Sequence, residues 1–536
     1  MKVKIKMKRF KKSIFIFRRD LRLEDNTGLI NALESSNCVY CLFILDKNLL
    51  TPTSGYSSFV LPTIAHTLYR RQQKRYHLLL FMKESLIDLQ KQFYYLNENI
   101  KSTTSKKEIA DIITVNPKLV FLFGDPLLTI SKIIKSDKEI EAVFVNRDYT
   151  PYSINRDKTI KTISKSNSVE FIECADFLLN EPEEILNSYN KPFRVFFQYY
   201  NKAIEKPIRK ENILDIKKYK DRLFSLNEKI LFEISNNEII SNLDNFFNEI
   251  ISSQISNIAF IGGRNGYVNV ISDLAVRLRK YNEDKDILVK KATSHLSAYI
   301  KFGICSIREV YSIIQSELGN NHPLLRQLYW RDFFTYIGFH FPYVFVGPFQ
   351  EKYRNNRNTI QWRNDPKQFE LWCNGKTGFP IVDVGMRELN ATGYLHNRLR
   401  LIVASFLVKD LHIDWRYGER YFALKLVDYD PSVNNGNWQW VASTGCDALP
   451  FFRIFNPWLQ QKKIDPECIY IKKWIPELKS IPKKLIHEWY KVNENKEQIK
   501  SYFQNSKDYL FIDIDYPKPI VEHHSEMIVA RQSYNI

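Results

Sequence analysis

Short apolar runs recur along the first third of the chain and alternate with longer helix-compatible stretches. The runs are SIFIF at 13–17, VYCLFIL at 39–45, KLVFLF at 118–123, AVFVN at 142–146 and VEFIE at 169–173. Strands rich in β-branched and aromatic residues, separated by helical segments, are typical of a layered α/β fold. The pattern therefore predicts a Rossmann-like N-terminal α/β domain with a parallel sheet.

The hydrophobic period changes in the second half. Stretches such as 322–340 and 381–411 place apolar residues at helical spacing, which predicts an all-α domain. A polar stretch at 98–116 is predicted to be a surface insertion. The predicted segments are a basic N-terminal arm at 1–12, the α/β domain at 13–176, an interdomain linker at 177–260, the helical domain at 261–500 and a C-terminal tail at 501–536.

Composition and charge narrow the class of protein. The 536 residues are 44% hydrophobic and 26% charged, which is typical of a folded globular chain. Lys plus Arg number 78 against 60 Asp plus Glu, a net charge of +18. This excess fits a polyanionic partner, although a Lys-rich composition alone gives the same number.

The cysteines favour a reducing, intracellular compartment, because the seven are odd in number and scattered. Cys38 and Cys41 form a lone CxxC inside an apolar run, so we expect two buried strand thiols and no metal site. No apolar stretch reaches the roughly 18 residues that a membrane helix needs. The familiar nucleotide loops are also missing: Glu370 stands where a P-loop before Lys376 needs glycine, and no GxGxxG occurs.

Two polar clusters in the second half are candidate binding features. The run at 293–297 (TSHLS) precedes a predicted helix and fits either a diphosphate site or an ordinary helix cap. On a predicted helix at 324–336, four residues share one face and suit a pocket floor for a base: Gln327, Trp330, Arg331 and Phe334. All nine tryptophans lie in this half, more than core packing alone explains.

A long run of motifs from 393 to 458 carries a family resemblance. HNRLR, ASFLVKDL, DWRYGERYF, NNGNWQW, ASTG and FRIFNP follow one another there, after FRRDLRLEDN, NRDYTPYS, TSHLSAYIKFG and LYWRDFF earlier in the chain. The sequence resembles the DNA photolyase and cryptochrome family, most closely the class I cyclobutane pyrimidine dimer photolyases. The resemblance implies a light-driven flavoenzyme with an N-terminal antenna domain and a helical domain that holds a U-shaped FAD.

The resemblance assigns a set of flavin contacts. Arg400 and Asp428 match a salt bridge over the isoalloxazine, Asp430 matches a neighbouring contact, and Asn434 matches the residue that faces flavin N5. A neutral amide at that position favours the reduced anionic flavin, and therefore repair over signalling. The adenine and phosphate contacts implied by the resemblance are Tyr281, Thr293, Ser294, His295, Leu296, Ser297 and Arg331.

The resemblance also implies an electron relay and a lesion site. Trp438, Trp415 and Trp362 match a relay that carries electrons from the surface to the photoexcited flavin. Trp330 and Trp440 match the pair that flanks a flipped-out lesion. The other residues at DNA-contacting or lesion-contacting positions are Lys285, Gln327, Asn397, Arg398, Leu401, Arg453 and Gln460.

Several residues depart from the family pattern. Gln327 and Leu401 replace the usual Glu and Met, and Lys285 replaces an Arg. The related 6-4 photolyases use two histidines where this chain has Asn397 and Leu401. We therefore predict repair of cyclobutane pyrimidine dimers by excited FADH−. A cryptochrome photoreceptor, a 6-4 photolyase and an inactive damage-binding protein are the alternatives.

The remaining expectations concern a second chromophore, partners and location. The residues at family antenna positions are Asn146, Arg147, Asp148 and Tyr149, and a folate, a deazaflavin or no chromophore fits them. The expected partner is UV-damaged DNA. The protein is expected to be a monomer and not to associate with a membrane. The protein is expected wherever DNA lies, in the cytoplasm or nucleus.

Overall fold

The computed structural model describes residues 9–47, 76–96, 118–213, 215–234, 238–251, 258–354, 360–447, 452–491 and 515–535. The insertion predicted at 98–116 and most of the predicted N-terminal arm lie outside these residues. No helix within them is both long and apolar enough to cross a membrane.

The N-terminal domain contains a parallel sheet, as predicted. Its strands are β1 (Phe10–Phe17), β2 (Ser36–Asp46), β3 (Leu119–Gly124), β4 (Ile140–Asn146) and β5 (Glu170–Cys174), and its helices are α1 (Thr27–Ser35), α2 (Tyr76–Tyr95), α3 (Pro126–Ser136) and α4 (Pro151–Ser166). The strand order is β3-β2-β1-β4-β5, and every ladder is parallel. The central strands are buried on both faces because helices cover the sheet. Cys38 and Cys41 are buried in β2, as predicted, and burial raises the pKa of Cys38 to about 11.

The region that connects the two domains is packed against the sheet. It contains α5 (Phe196–Ile204), α6 (Glu228–Glu233) and α7 (Leu243–Ile250), with 3-10 turns at Pro182–Glu184 and Ile216–Arg222. The backbone N–H of Phe224 donates to the carbonyl of Val39, and that of Ile240 donates to Phe121. The described residues of the connection therefore pack along the N-terminal domain at these points.

The second domain is helical, as predicted. Its helices are α8 (Gly263–Ile271), α9 (Leu274–Arg277), α10 (Tyr281–Asp284), α11 (Ser297–Phe302), α12 (Ile307–Leu318), α13 (Pro323–His340), α14 (Pro366–Cys373), α15 (Pro380–Thr392), α16 (Asn397–Ser405), α17 (Trp415–Lys425), α18 (Pro431–Val441), α19 (Pro457–Ile464), α20 (Ile469–Trp474) and α21 (Lys483–His487). Short 3-10 turns occur at Leu288–Lys290, Pro342–Phe345, Glu351–Tyr353, Pro476–Leu478 and Trp489–Lys491.

A recurring signal explains where several of these helices begin. Asp365, Asp430 and Asn456 each cap a helix with the side chain, and proline follows each of them at the first helical position. A capping oxygen satisfies a backbone N–H that has no partner inside the helix, and proline has no N–H to satisfy. These pairs fix the starts of α14, α18 and α19.

The C-terminal segment, predicted to be a tail, contains the helix α22 (His523–Ser533). It packs on a π-helical turn at Phe406–Asp410 that continues α16. His523 Nδ1 lies 2.5 Å from Asp410 Oδ1, and His412 Nε2 lies 2.8 Å from Glu526 Oε2. The first turn of α22 is therefore part of the helical domain's packing.

A buried ion-pair network joins the two domains. Asp176 accepts hydrogen bonds from Arg22 of the N-terminal domain at 2.7 Å and from Arg308 of α12 at 2.8 Å, and Arg308 also binds Asp25 at 2.8 Å. Gly303, with φ +62°, approaches the backbone of Arg19 so closely that a Cβ would lie 2.2 Å from its carbonyl oxygen. These contacts hold the carboxyl edge of the sheet against the helical domain.

Asp176→Asn should make stability at this junction less sensitive to acid. Burial would raise the pKa of Asp176, but Arg22 and Arg308 outweigh it and hold that pKa well below its usual range. A depressed folded-state pKa stabilises the protein above the ordinary pKa, and this stabilisation is lost as the pH falls toward the folded value. The gap between the thermal midpoints of wild type and variant should therefore stay constant from about pH 7 to about pH 5 and shrink steadily as the pH falls from about 4 toward about 2. A gap as large at about pH 2 as at about pH 7 would contradict the role of this pair.

Candidate functional site

A cavity of about 100 Å³ lies between α16, α17 and α18. It is lined by seven of the residues that the sequence predicts as site residues: Asn397, Arg400, Leu401, Asp428, Asp430, Asn434 and Trp438. Residues 430, 434 and 438 stand at successive helical turns, which explains how α18 presents all three to the same space. The structure thus gathers residues from three elements around one pocket.

The charged wall of this cavity is an ion pair. Arg400 Nη2 donates to Asp428 Oδ2 at 2.8 Å, and its Nε donates to the carbonyl of Leu395 at 2.8 Å. Burial would lower the pKa of Arg400, but Asp428 outweighs it and raises that pKa. The second carboxylate oxygen, Asp428 Oδ1, is buried and finds no hydrogen-bond partner among the described residues. It is therefore an acceptor available to a bound donor.

Asn434 lines the same cavity and is largely buried. Its Nδ2 donates to the carbonyl of Glu419 at 3.0 Å. With the amide N–H turned toward α17, the side-chain oxygen is left to accept a hydrogen bond from a bound group. The side chain carries no charge at any ordinary pH.

Asp430 connects the cavity to the N-terminal domain. Its Oδ1 caps α18 by accepting from the N–H groups of Ser432 and Val433 at 3.0 and 3.1 Å, and its Oδ2 pairs with Arg19. Burial would raise the pKa of Asp430, but Arg19 and Lys301 outweigh it and lower that pKa. This partner from the first domain was not predicted.

The predicted phosphate run begins a helix, as the sequence indicates. α11 begins at Ser297, and Leu296 at the N-cap offers no side-chain cap. Ser294 Oγ accepts from the N–H of Leu296 at 3.4 Å, and Thr293 Oγ1 lies 3.3 Å from His295 Nε2. Burial and nearby Arg277 lower the pKa of His295 to about 4, so its ring is neutral at pH 7.

Two further residues of the predicted cofactor set lie on other helices: Arg331 on α13 and Tyr281 on α10. Arg331 stacks over the ring of Phe177 at 3.7 Å and donates to Asp332 at 2.8 Å. Its Nη2 is buried and unpartnered among the described residues, and burial lowers its pKa. Such an incompletely neutralised cation suits an anionic ligand. The Tyr281 ring lies 5.3 Å from His322, with Lys285 Nζ 5.4 Å from it.

The predicted relay tryptophans form a gradient of burial. Trp438 and Trp415 are buried, whereas Trp362 is half-buried. α17 can approach α18 at Trp438 because residue 418 is glycine, where a Cβ would lie 2.1 Å from the indole. Two aromatic neighbours of the relay were not predicted: Trp372 lies 6.3 Å from Trp438, and Tyr534 lies 6.3 Å from Trp362.

The predicted DNA-contacting residues lie toward the surface. Asn397, Gln327 and Arg453 are exposed, and the others are half-buried: Lys285, Trp330, Arg398, Leu401, Trp440 and Gln460. Arg398 forms a two-pronged ion pair with Asp286, at 3.1 and 2.5 Å. The prediction of one shared pocket floor on α13 is wrong in part, because Arg331 turns to Phe177 while Trp330 stacks on Phe196.

A second cavity, of about 190 Å³, lies at the carboxyl edge of the N-terminal sheet. Its wall combines apolar side chains with Arg18, Arg19, Arg156 and Asp148. Of the four predicted antenna residues, Asp148 lines it, whereas the side chain of Asn146 binds Asp20 and Gly28 inside the domain. Arg147 and Tyr149 bind Glu181 instead.

Two family models match the chain. The model described as DNA photolyase matches residues 13–213, and the model described as FAD binding domain of DNA photolyase matches residues 324–535. The second match includes α22.

The chain is also similar to named relatives. It is 38% identical over 400 residues to the deoxyribodipyrimidine photo-lyase of Alkalihalophilus pseudofirmus, covering 74% of this chain and 79% of the relative. A photolyase structure from Sulfolobus tokodaii with two FAD molecules is 33% identical, with a TM-score of 0.73 and coverage of 98% and 99%. A cryptochrome structure from Synechocystis is 26% identical, with a TM-score of 0.76 and coverage of 98% and 100%.

Proposed function

This chain belongs to the DNA photolyase family, and from that premise we propose that its substrate is the cyclobutane pyrimidine dimer. Membership of this family makes the protein a DNA-repair enzyme that uses FAD. The chemistry supplied by the bound cofactor is electron donation from light-excited FADH− to the dimer, which splits into two pyrimidines and returns the electron.

The predicted cofactor residues fit FAD. Asp428, which lines the first cavity, offers an unpaired carboxylate oxygen that suits an N–H donor. Arg331, which is not part of the cavity lining, offers an unpaired guanidinium nitrogen that suits a phosphate. Arg400 supplies a positive charge beside the cavity, and Asn434 an uncharged amide oxygen. We propose that Tyr281 and residues 293–297 complete this site for the adenine and diphosphate.

Two side chains that do not titrate, at the mouth of the cavity, carry the choice of lesion. Asn397 and Leu401 stand one helical turn apart, both line the cavity, and neither side chain titrates near pH 7. The nearby His396 is committed elsewhere, because its Nδ1 accepts from the backbone N–H of Arg398 at 3.1 Å. Burial lowers the pKa of His396 to about 4. This supports dimer splitting, which needs no proton donor, over 6-4 repair.

We propose that DNA docks across the exposed face of this cavity. Trp330 and Trp440 would flank the flipped dimer, and Gln327 would offer its amide to a pyrimidine carbonyl. Lys285, Arg398 and Arg453 would bind backbone phosphates, with Asn397 and Gln460 beside them. A Lys at 285 offers a point charge in place of a bidentate fork.

Repair by reduced protein tests the proposal. Oligothymidylate that carries cyclobutane dimers should lose them in blue light and keep them in darkness, as followed by chromatography. The same protein should leave 6-4 lesions intact. A flavin that is reduced normally without any dimer loss would instead favour a sensor of the cryptochrome kind.

We further propose that the second cavity binds an antenna chromophore. Ligands of doubly wound sheets bind at the carboxyl edge where the strand order reverses, here between β1 and β4. An apolar wall with several arginines suits a planar ring with an anionic substituent. Folates and deazaflavins both meet this description.

Met82→Trp should exclude that chromophore. Met82 lines the cavity from α2 and is nearly buried, so a larger indole would fill the space. Denatured wild-type protein should release a second chromophore beside FAD, and the variant should release FAD alone. Equal release of both from the variant would place the chromophore elsewhere.

A further inference from the structure

The indole of Trp330 is backed by an aromatic ring from outside the helical domain. Phe196, at the start of α5, stacks on it with ring centroids 3.6 Å apart and planes inclined by 8°. Phe196 is 1% exposed, whereas Trp330 is half-buried. One face of the indole is therefore covered by a fixed ring, and the plane of Trp330 is set by the connecting region.

Other aromatic contacts fix the ring of Phe196 in turn. Phe333 meets it edge-on at 5.6 Å, and Tyr200 stacks at 5.6 Å on the next turn of α5. The guanidinium of Arg326 lies 5.3 Å from its centroid. A ring held from several sides presents one orientation to its neighbour.

A single carboxylate ties this backing ring to the loop that follows α18. The N–H of Phe196 donates to Asp447 Oδ1 at 3.0 Å, and the N–H of Asp447 donates to the carbonyl of Arg194 at 3.1 Å. Trp440 lies in the last turn of α18, just before this loop. Phe196, which stacks on Trp330, is thus hydrogen-bonded to the loop that follows Trp440.

We propose that Phe196 and Asp447 are positioning residues of the lesion site, which hold the Trp330 indole in the orientation that stacks on a flipped pyrimidine dimer. The inference rests on the proposed function and deepens it. An indole that must be ordered on binding loses side-chain freedom at that moment, and one already fixed does not. The expected gain is about tenfold in affinity for dimer-containing DNA.

Phe196→Leu tests this role because it keeps an apolar side chain but removes the flat ring. Dark binding to dimer-containing oligothymidylate should weaken about tenfold. Affinity for undamaged DNA, bound flavin and the repair rate at saturating DNA should stay unchanged. Phe196→Tyr, which restores a ring, should recover wild-type affinity. If Phe196 only stabilised the fold, Phe196→Leu would lower dimer affinity, affinity for undamaged DNA, bound flavin and repair rate together. Phe196→Tyr would then not restore dimer affinity selectively.

Phe197→Leu is the matched control, because Phe197 is the next residue of α5 and is 61% exposed. It should bind dimer DNA like wild type. If Phe196→Leu fails to fold, Asp447→Ala is the alternative test. It removes the carboxylate that accepts from the N–H of Phe196 and leaves the Phe196 ring in place. The same selective loss of dimer binding is then expected, and unchanged binding would overturn the proposal.

The controls separate this inference from the function on which it rests. A wild-type protein that repairs no dimers contradicts the proposed substrate. Normal dimer binding by Trp330→Ala contradicts the placement of that tryptophan at the lesion. If both behave as expected and Phe196→Leu binds like wild type, only the positioning role is wrong.

Discussion

Asp428→Ala should purify without stably bound flavin and with a free energy of unfolding lower by about 3–5 kcal/mol. The substitution removes the carboxylate that Arg400 contacts at 2.8 Å and leaves the guanidinium without its counter-charge. It also removes the buried carboxylate oxygen that has no hydrogen-bond partner among the described residues. Flavin absorbance per protein and urea unfolding measure the two effects.

A double variant distinguishes the cofactor role from the fold. Arg400→Met with Asp428→Leu replaces the pair with apolar side chains, which often restores the stability that a broken pair loses. We expect it to unfold more like wild type and still to lack flavin. Full flavin occupancy in either variant would remove this pair from the cofactor site.

The elements of the site that the sequence predicted are local ones. Asp430 at the N-cap of α18 is followed at helical spacing by Asn434 and Trp438, so the start of one helix is enough to bring them to one cavity. Asn397 and Leu401 follow the same rule on α16. The pairing of Arg400 with Asp428 was implied by the family resemblance and is present in the structure at 2.8 Å.

The missed features depend on contacts between distant parts of the chain. Arg19 pairs with Asp430 over 411 residues, and Phe196 reaches Trp330 from the region predicted to be a linker. Periodicity and motif spacing describe one segment at a time, so they carry no signal for such partners. A phenylalanine within a predicted linker carries no sequence signal that identifies the ring it contacts.

The same limit explains the antenna residues. The motif NRDYTPYS begins at the last residue of β4, but the side chains of Asn146, Arg147 and Tyr149 turn to partners inside the protein. Only Asp148 of the four lines the cavity, together with residues from β1 and β2. Which side chains face a cavity depends on how several strands end together.

Trp438→Phe should abolish light-driven reduction of oxidised flavin in the presence of an external thiol, because phenylalanine is far harder to oxidise than an indole. The fold should survive the change. Trp438 packs among Phe422 at 5.0 Å, Trp372 at 6.3 Å and the glycine at 418, so a smaller aromatic ring retains an apolar contact there. Protein reduced chemically should still repair dimers, since the predicted relay would supply electrons to the flavin and not to the lesion.

Trp372→Phe is the matched control for the relay. Trp372 is also an indole, fully buried and in contact with Trp438, but the relay predicted from the family resemblance, through Trp362 and Trp415, does not include it. Its loss should leave photoreduction intact. If Trp372→Phe and Trp438→Phe lose photoreduction equally, electrons reach Trp438 through Trp372 instead. If Trp438→Phe retains the wild-type rate, Trp438 is not required for electron transfer to the flavin, and the predicted relay is wrong.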